Sequence, residues 1–312
     1  MRRKLGLVLQ LVFSVAAIAL LVRMTNPAQA LSALRQANPA WTGLAIATWA
    51  FIQVLCIVKW QWVNRIQGVR IPLGPLSSAY LVGMFFNTFL PSSFGGDAVR
   101  AYKLARYSGA TGSSVGSVVV DRFLALHSLL VVSLAAVLFS PDMRQAVSPS
   151  LLAAILLAGS APFAFPWLLE KPAFSRLRDR FPLLREAVAT LGAPGVGAQT
   201  LRVWGLAIAI QYLNAVMHFF LILAIGRSVP LAYVLAFVPV MVLLTSLPLS
   251  VNGIGIRESS LVFFLGRVGV GSPEALAVGV LSLAMLLLAG AVGGGVHLLE
   301  TLARPARKAT GV

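Results

Sequence analysis

The sequence predicts an all-α, polytopic membrane protein. Its expected plan is an inverted-topology repeat with six full spans plus two opposed re-entrant helical hairpins. Three observations predict it. The chain is 58% hydrophobic and only 11% charged. One 14-residue motif occurs twice, about half a chain apart. The basic residues collect on one side when the apolar segments are threaded through a membrane in order.

The composition sets the class. Soluble domains carry about 25% charged residues, and a mean hydropathy of +0.88 lies far from that group. Several apolar runs approach or exceed the roughly 20 residues that a spanning helix needs. They are continuous and rich in Leu, Ala and Val rather than alternating, which excludes a transmembrane β-barrel. The net charge of +16 suggests nucleic acid until the charges are placed. The single cysteine, Cys56, allows no intrachain disulfide. Arg2, Arg3 and Lys4 followed by an apolar run and Ala28-Gln29-Ala30 imitate a signal peptide. The run over 5–22 has 18 residues, longer than a usual signal core, so it is read as a retained first helix.

Full spans are expected at 5–22, 41–58, 115–140, 150–169, 203–225 and 275–299. Two further hydrophobic segments, 76–94 and 231–251, each run into a copy of the motif. With the N-terminus in the cytoplasm and both short segments turning back, 59–75, 97–114 and 170–202 are cytoplasmic. The C-terminus is cytoplasmic too. This threading puts 18 of the 25 Lys and Arg residues inside. Outer connections hold only Arg23, Arg35, Arg144 and Arg227. Such asymmetry is the positive-inside pattern. The positive charge therefore reads as membrane topology and anionic-lipid contact, with no nucleic-acid partner. The expected location is a bacterial cytoplasmic (inner) membrane. Trp41 falls at a predicted outer end, and Trp60, Trp62, Trp167 and Trp204 at inner ends, where tryptophan prefers to lie.

Residues 87–100 read NTFLPSSFGGDAVR and residues 244–257 read LTSLPLSVNGIGIR. At an offset of 157 they share Thr88/Thr245, Leu90/Leu247, Pro91/Pro248, Ser93/Ser250, Gly96/Gly253 and Arg100/Arg257, 6 of 14 positions. The expected halves are 1–140, with its motif at 87–100, and 141–312, with its motif at 244–257. Broken segments at corresponding points of two halves are the sequence mark of a transporter's central site.

Pro91 and Pro248 lack an amide hydrogen and interrupt a helix. Gly95, Gly96, Gly253 and Gly255 permit turns with positive φ. Irregular backbone at membrane depth survives only inside protein or beside a wet cavity. Each motif therefore reads as the tip of a hairpin, with Asp97 in the first turn of the helix that follows. Arg100 and Arg257 come next. An arginine at depth is costly and usually functional, and its planar fork suits phosphate. Two of them could hold a lipid head group between opposed hairpins. The alternative is that Arg100 pairs with Asp97, and Arg257 with Glu258, each pinning its own turn. Asp121 could meet Arg100, whereas its neighbour Arg122 could extend toward lipid phosphates.

The candidate head-group residues are Arg100, Arg257, Asp97, Asp121, Glu258, Asn87, Ser93, Ser250 and Asn252; Asn87, Ser92, Ser93 and Ser250 are also candidates for capping backbone groups. His127, His218 and His297 stand alone in apolar helices and read as core histidines. No metal-ligand spacing, nucleotide motif or nucleophile elbow is present in the sequence, and no cofactor or metal is expected. Gly293-Gly294-Gly295 reads as close helix packing.

FFNTFLPSSFGGDAVRAYKLAR, the following VDRF, SLPLSVNGIGIRES and KWQWVNRIQGV resemble the transmembrane region of the lysylphosphatidylglycerol synthase family, flippase-like membrane proteins. The resemblance covers nearly the whole chain. It implies lipid translocation. In bifunctional members a related membrane region flips aminoacylated phosphatidylglycerol, which a separate soluble domain makes. With Val312 soon after the last span, no such domain is expected here, so lipid aminoacylation is not carried over.

The leading expectation is a flippase that moves an anionic or lipid-linked head group between leaflets. A membrane enzyme using Asp97, Asp121 or Glu258 as base is the alternative, as is a non-catalytic partner of a cell-envelope enzyme. A second copy of the chain is the other partner considered.

Overall fold

A computed structural model describes residues 27–89, 95–146, 154, 157, 196–247 and 250–303. The expected spans at 5–22 and 150–169 therefore lie outside the described residues, apart from 154 and 157. So do Pro91, Ser92, Ser93, Pro248 and most of 170–202.

The described residues are helical, with no strand among them. They form α1 (Pro27–Arg35), α2 (Pro39–Ile66), α3 (Leu73–Phe89), α4 (Gly95–Ser108) and α5 (Thr111–Phe139). After the short α6 (Pro141–Ala146) come α7 (Val196–Ala224), α8 (Leu231–Ser246), a 3-10 turn (Val251–Gly253), α9 (Ile256–Gly266) and α10 (Ser272–Leu302). Four stretches are long and apolar enough to cross a membrane: Pro39–Ile66, Thr111–Phe139, Ala198–Ala224 and Ser272–Leu302. The chain is an integral membrane protein of the all-α class.

Local sequence sets the ends. Asn38 caps α2, its side chain accepting from the Ala40 amide at 2.9 Å, and Pro39 occupies a first-turn site where a missing N–H costs nothing. Pro273 begins α10 in the same way. Each motif falls between two described helices, α3 and α4 in the first case, α8 and α9 in the second.

Three expectations shift. Helix α2 continues past the expected end at 58, and Lys59, Trp60 and Asn64 are buried within the bundle. The stretch expected as the cytoplasmic connection 97–114 is mostly α4, with Asp97, Arg100, Ala101 and Leu104 buried. The connection expected to run to 202 ends earlier, because α7 starts at Val196. In the first two cases ion pairing carries the charged groups inward, which hydropathy alone does not register.

Two apolar cores result. One gathers Trp60, Val63, Leu76, Leu104 and Leu124 around α3 and α4. The other gathers Leu221, Phe237, Met241, Leu261 and Leu265 around α8 and α9. Helix α2 lies along α7, α3 along α10, and α5 along α8. The α3–α10 contact is made by glycine. A Cβ on Gly293 would strike the Leu81 carbonyl oxygen, and one on Gly290 would come within 2.9 Å of Thr88 and Phe89 carbons. Gly294 packs on Phe85, whereas Gly295 faces open space. Close backbone approach through small residues is how membrane helices gain dispersion contact without a hydrophobic driving force.

Candidate functional site

At the first motif the break between α3 and α4 is stitched by Asn87, whose Oδ1 accepts from the Gly96 amide at 2.9 Å. Gly96 does not use the positive φ open to glycine; it lies in the first turn of α4. Gly96 serves another purpose. A Cβ there would collide with the Gly83 carbonyl oxygen and with Asn87, so its small size lets the two helices touch.

That contact seats Arg100 inside. Its Nη2 donates to Asp121 Oδ2 at 3.1 Å and its Nη1 to Asp97 Oδ1 at 3.4 Å. Lys59 Nζ sits 2.9 Å from Asp121 Oδ1. Arg122 forks onto Asp97 through Nε at 2.6 Å and Nη2 at 3.0 Å. The Arg100 guanidinium lies 4.1 Å from the Trp60 ring centroid and 5.0 Å from that of Tyr80, within cation–π range. Asp121 and Arg122 find different partners because neighbours on a helix point in different directions. Asp97 lies in the first turn of α4 and serves arginines rather than backbone amides. Sequence reasoning anticipated the pairing of Arg100 with Asp97 and with Asp121. It missed Lys59 and the fork of Arg122, and it placed Trp60 at an interface although this residue is wholly buried.

The second motif is built differently. Asn252, Gly253 and Gly255 have φ of 51°, 72° and 89°, the left-handed turn expected of this segment. Glu258 accepts from the Gly255 amide at 2.6 Å and so closes the first turn of α9 rather than pairing with Arg257. Arg257 donates from Nη2 to the Asn252 carbonyl at 3.0 Å. Its Nη1 is buried and has no hydrogen-bond partner among the described residues. The Ser250 hydroxyl is likewise buried without a partner, so it caps nothing here. Asn252 reaches the other motif: its Nδ2 donates to the Thr88 carbonyl at 2.8 Å.

Between the two motifs lies a cavity of about 310 Å³. Gln53, Asn87, Asn214, His218 and Arg257 line it, joined by the hydroxyl-bearing Thr88, Thr245 and Ser282. Trp49 and Met84, Met217, Met241 and Met285 form its apolar wall. No Asp or Glu lines it among the described residues. Arg100, Asp97, Asp121 and Glu258 are not among its lining residues either. His218 was expected in a core; it lines this cavity and donates Nδ1–H to the Asn214 carbonyl at 2.8 Å. His127 is a satisfied core histidine, accepting from Trp204 Nε1 at 2.8 Å. Gln53, Asn214 and His218 were not singled out as site residues, because each is a single polar group in an apolar helix whose direction periodicity alone does not fix. Chemically, the cavity offers one cation, several amides and hydroxyls, and no base of carboxylate type. That set can bind a small anionic or polyol group.

Known proteins share this sequence in part. Over 152 residues the chain is 28% identical to a UPF0104 membrane protein of Methanothermobacter thermautotrophicus, covering 47% of this chain and 45% of that one. Over 128 residues it is 29% identical to Glycosyltransferase AglD of Haloferax volcanii, covering 41% of this chain and 20% of that protein. The aligned stretches thus span less than half the length of either relative, and both relatives are archaeal. Residues 7–294 match the family described as the lysylphosphatidylglycerol synthase TM region. That match takes in both motifs, the buried ion network and the cavity, and the chain belongs to this flippase-like family of membrane proteins.

Proposed function

We propose that the chain is a lipid translocator rather than an enzyme: it moves an anionic or lipid-linked head group between leaflets. The observation that carries this reading is the cavity between the two motifs, lined by Arg257, whose buried Nη1 has no hydrogen-bond partner among the described residues. A buried unpaired cationic donor is expensive, and an anionic ligand would relieve the cost. In this reading Arg257 is the head-group ligand, assisted by Asn87 and the threonines. Arg100, Asp97 and Asp121 hold the first hairpin in shape.

The proposed architecture is six spans with two opposed re-entrant hairpins, divided into 1–140 and 141–312. Two features support it. Exchanging α2 with α7, α3 with α8, α4 with α9 and α5 with α10 maps the α3–α10 contact onto α8–α5, and α4–α5 onto α9–α10. The hairpins also meet α10 at opposite ends. Ser78 and Lys103, at the open end of the α3–α4 pair, bond to Glu300 near the last turn of α10, Lys103 at 2.5 Å. The α8–α9 pair, joined by Tyr233 Oη donating to the Phe264 carbonyl at 2.8 Å, opens beside the first turn of α10. Opposed broken helices around a central site are the plan of many secondary transporters. One relative is a glycosyltransferase by name, sharing a fifth of its length, so lipid-linked sugars belong in the test set alongside phosphatidylglycerol.

Leaflet exchange of fluorescent phosphatidylglycerol and of a lipid-linked sugar, in proteoliposomes of the full chain, tests the function. Wild-type protein is expected to accelerate one of them, and Arg257→Lys to slow it, since Lys keeps the charge and loses the fork. Exchange at the rate of empty liposomes for every anionic lipid would overturn the reading. For the topology, a cysteine placed at Ser108 in a Cys56→Ser background should label only from the cytoplasmic side.

A further inference from the structure

The cavity's unsatisfied atoms are of two opposite kinds. Among the described residues Arg257 Nη1 is a donor without an acceptor, and Asn214 Oδ1 is an acceptor without a donor; both are buried, and both belong to side chains that line the cavity. His218 adds a second acceptor: with Nδ1–H committed to the Asn214 carbonyl, a neutral ring offers only Nε2. Buried polar groups as a rule find partners. A ligand that completes this set must accept from a cation and donate to neutral acceptors. An anionic phosphodiester supplies the first property and a hydroxyl the second. Since a hydroxyl both donates and accepts, it serves either end of the Asn214 amide.

An ammonium group would also donate, but it meets the wrong field. Among the described residues the only charged side chain lining the cavity is Arg257, and no carboxylate lines it to balance a second cation. Like charges at close range in a low-dielectric site repel strongly. The volume sets the size. About 310 Å³ is room for about ten water molecules, enough for a phosphate with one small polyol or one sugar, with the lipid chains left outside.

Resting on the translocator reading, we infer that the cavity selects phosphodiester lipids with a hydroxylated, uncharged head, such as a phosphoglycerol or a glycosyl phosphate. The same cavity rejects the cationic aminoacylated lipid for which the family's synthase is named.

Binding can be measured apart from transport, so the two readings fail separately. Purified full chain in detergent is titrated with short-chain phosphatidylglycerol, a short-chain glycosyl phosphoprenol, phosphatidylmethanol, phosphatidylcholine and lysylphosphatidylglycerol. Either hydroxylated phosphodiester is expected to bind at least about fivefold more tightly than the last three, the effect of one neutral hydrogen bond from a hydroxyl to the Asn214 or His218 acceptor. Which of the two binds more tightly distinguishes a phospholipid from a lipid-linked sugar. Arg257→Gln should narrow the preference over phosphatidylcholine, because the cation that repels choline is gone while the hydroxyl contacts remain. Asn214→Leu should bring phosphatidylglycerol down to the affinity of phosphatidylmethanol, which lacks the hydroxyls. Melting temperatures of both variants accompany the titrations, and the wild-type ranking decides the matter alone if a variant fails to fold. Lysylphosphatidylglycerol binding as tightly as phosphatidylglycerol would overturn the inference, as would equal affinity for phosphatidylmethanol. The expected ranking without any leaflet exchange would uphold the selectivity and sink the translocator reading.

Discussion

Arg100 and Arg257 occupy the same place in the two copies of one motif, yet they live in opposite surroundings. Arg100 is gripped by Asp97 and Asp121 and lies over Trp60. Arg257 lines a cavity, holds one backbone carbonyl and leaves a buried nitrogen without a partner among the described residues. The cause is visible in the sequence. At the offset of 157 that aligns the motifs, Asp97 corresponds to Ile254 and Asp121 to Val278. The second copy keeps the arginine without the carboxylates. An arginine with counter-ions fastens helices together. In the proposed reading the same residue without them is open to an anion. Motif identity therefore says where a side chain stands, and the neighbouring residues decide what it can do.

The sharpest way to break this contrast is to remove a counter-ion from the first site. Asp121→Asn leaves Lys59 and Arg100 facing each other without their shared carboxylate. It should destabilise the protein by about 3–5 kcal/mol, read as a fall in thermal unfolding temperature in detergent. Adding Lys59→Met should recover part of the loss. A melting temperature unchanged by Asp121→Asn would mean that the network is not what fastens α4 to α2 and α5.

The next effect concerns packing. Gly293→Ala forces a methyl group into the Leu81 carbonyl and should cost about 1–3 kcal/mol. Gly295→Ala meets nothing and should be neutral or gain up to about 1 kcal/mol from helix propensity. Equal melting temperatures for the two variants would count against close α3–α10 contact.

Smaller still is the link between the motifs. Asn252→Ala removes the bond to the Thr88 carbonyl, worth about 1 kcal/mol, and leaves a non-glycine residue with positive φ. A modest loss of stability should accompany faster hydrogen exchange at the two hairpin tips.

The smallest expected change in stability is the most informative. Arg257→Met deletes a partly buried, incompletely paired cation and should leave stability about unchanged or slightly raised, while lipid exchange is lost. Large destabilisation would show Arg257 to be another fastener and erase the contrast with Arg100.

Much of this was legible beforehand. Continuous apolar runs marked the spans that are described, and the repeated Pro, Ser and Gly marked both helix breaks. The pairing of Arg100 with Asp97 and Asp121 was open to inference because so few carboxylates exist in the chain. Lys59 escaped because it sits beyond the end that hydropathy assigned to its helix. The role of Gly96 escaped because a glycine at a turn and a glycine at a helix crossing are the same letter. Gln53, Asn214 and His218 escaped because which face of an apolar helix meets a cavity depends on tertiary packing. The alternative that Glu258 pairs with Arg257 does not hold, because Glu258 instead accepts from the Gly255 amide at the start of its own helix.

The reciprocity of the helix contacts has a consequence for the chain as one piece. Helix α10 supports α3, and α5 supports α8, so each side of the molecule lends its last long helix to the other side's hairpin. Severed between residues 146 and 196, the protein would yield two fragments, each with a glycine-lined or apolar face shaped for the other. Neither should persist alone in a membrane. Made together they should associate as an obligate pair, and the cavity, whose walls come from both, should reappear only on reunion.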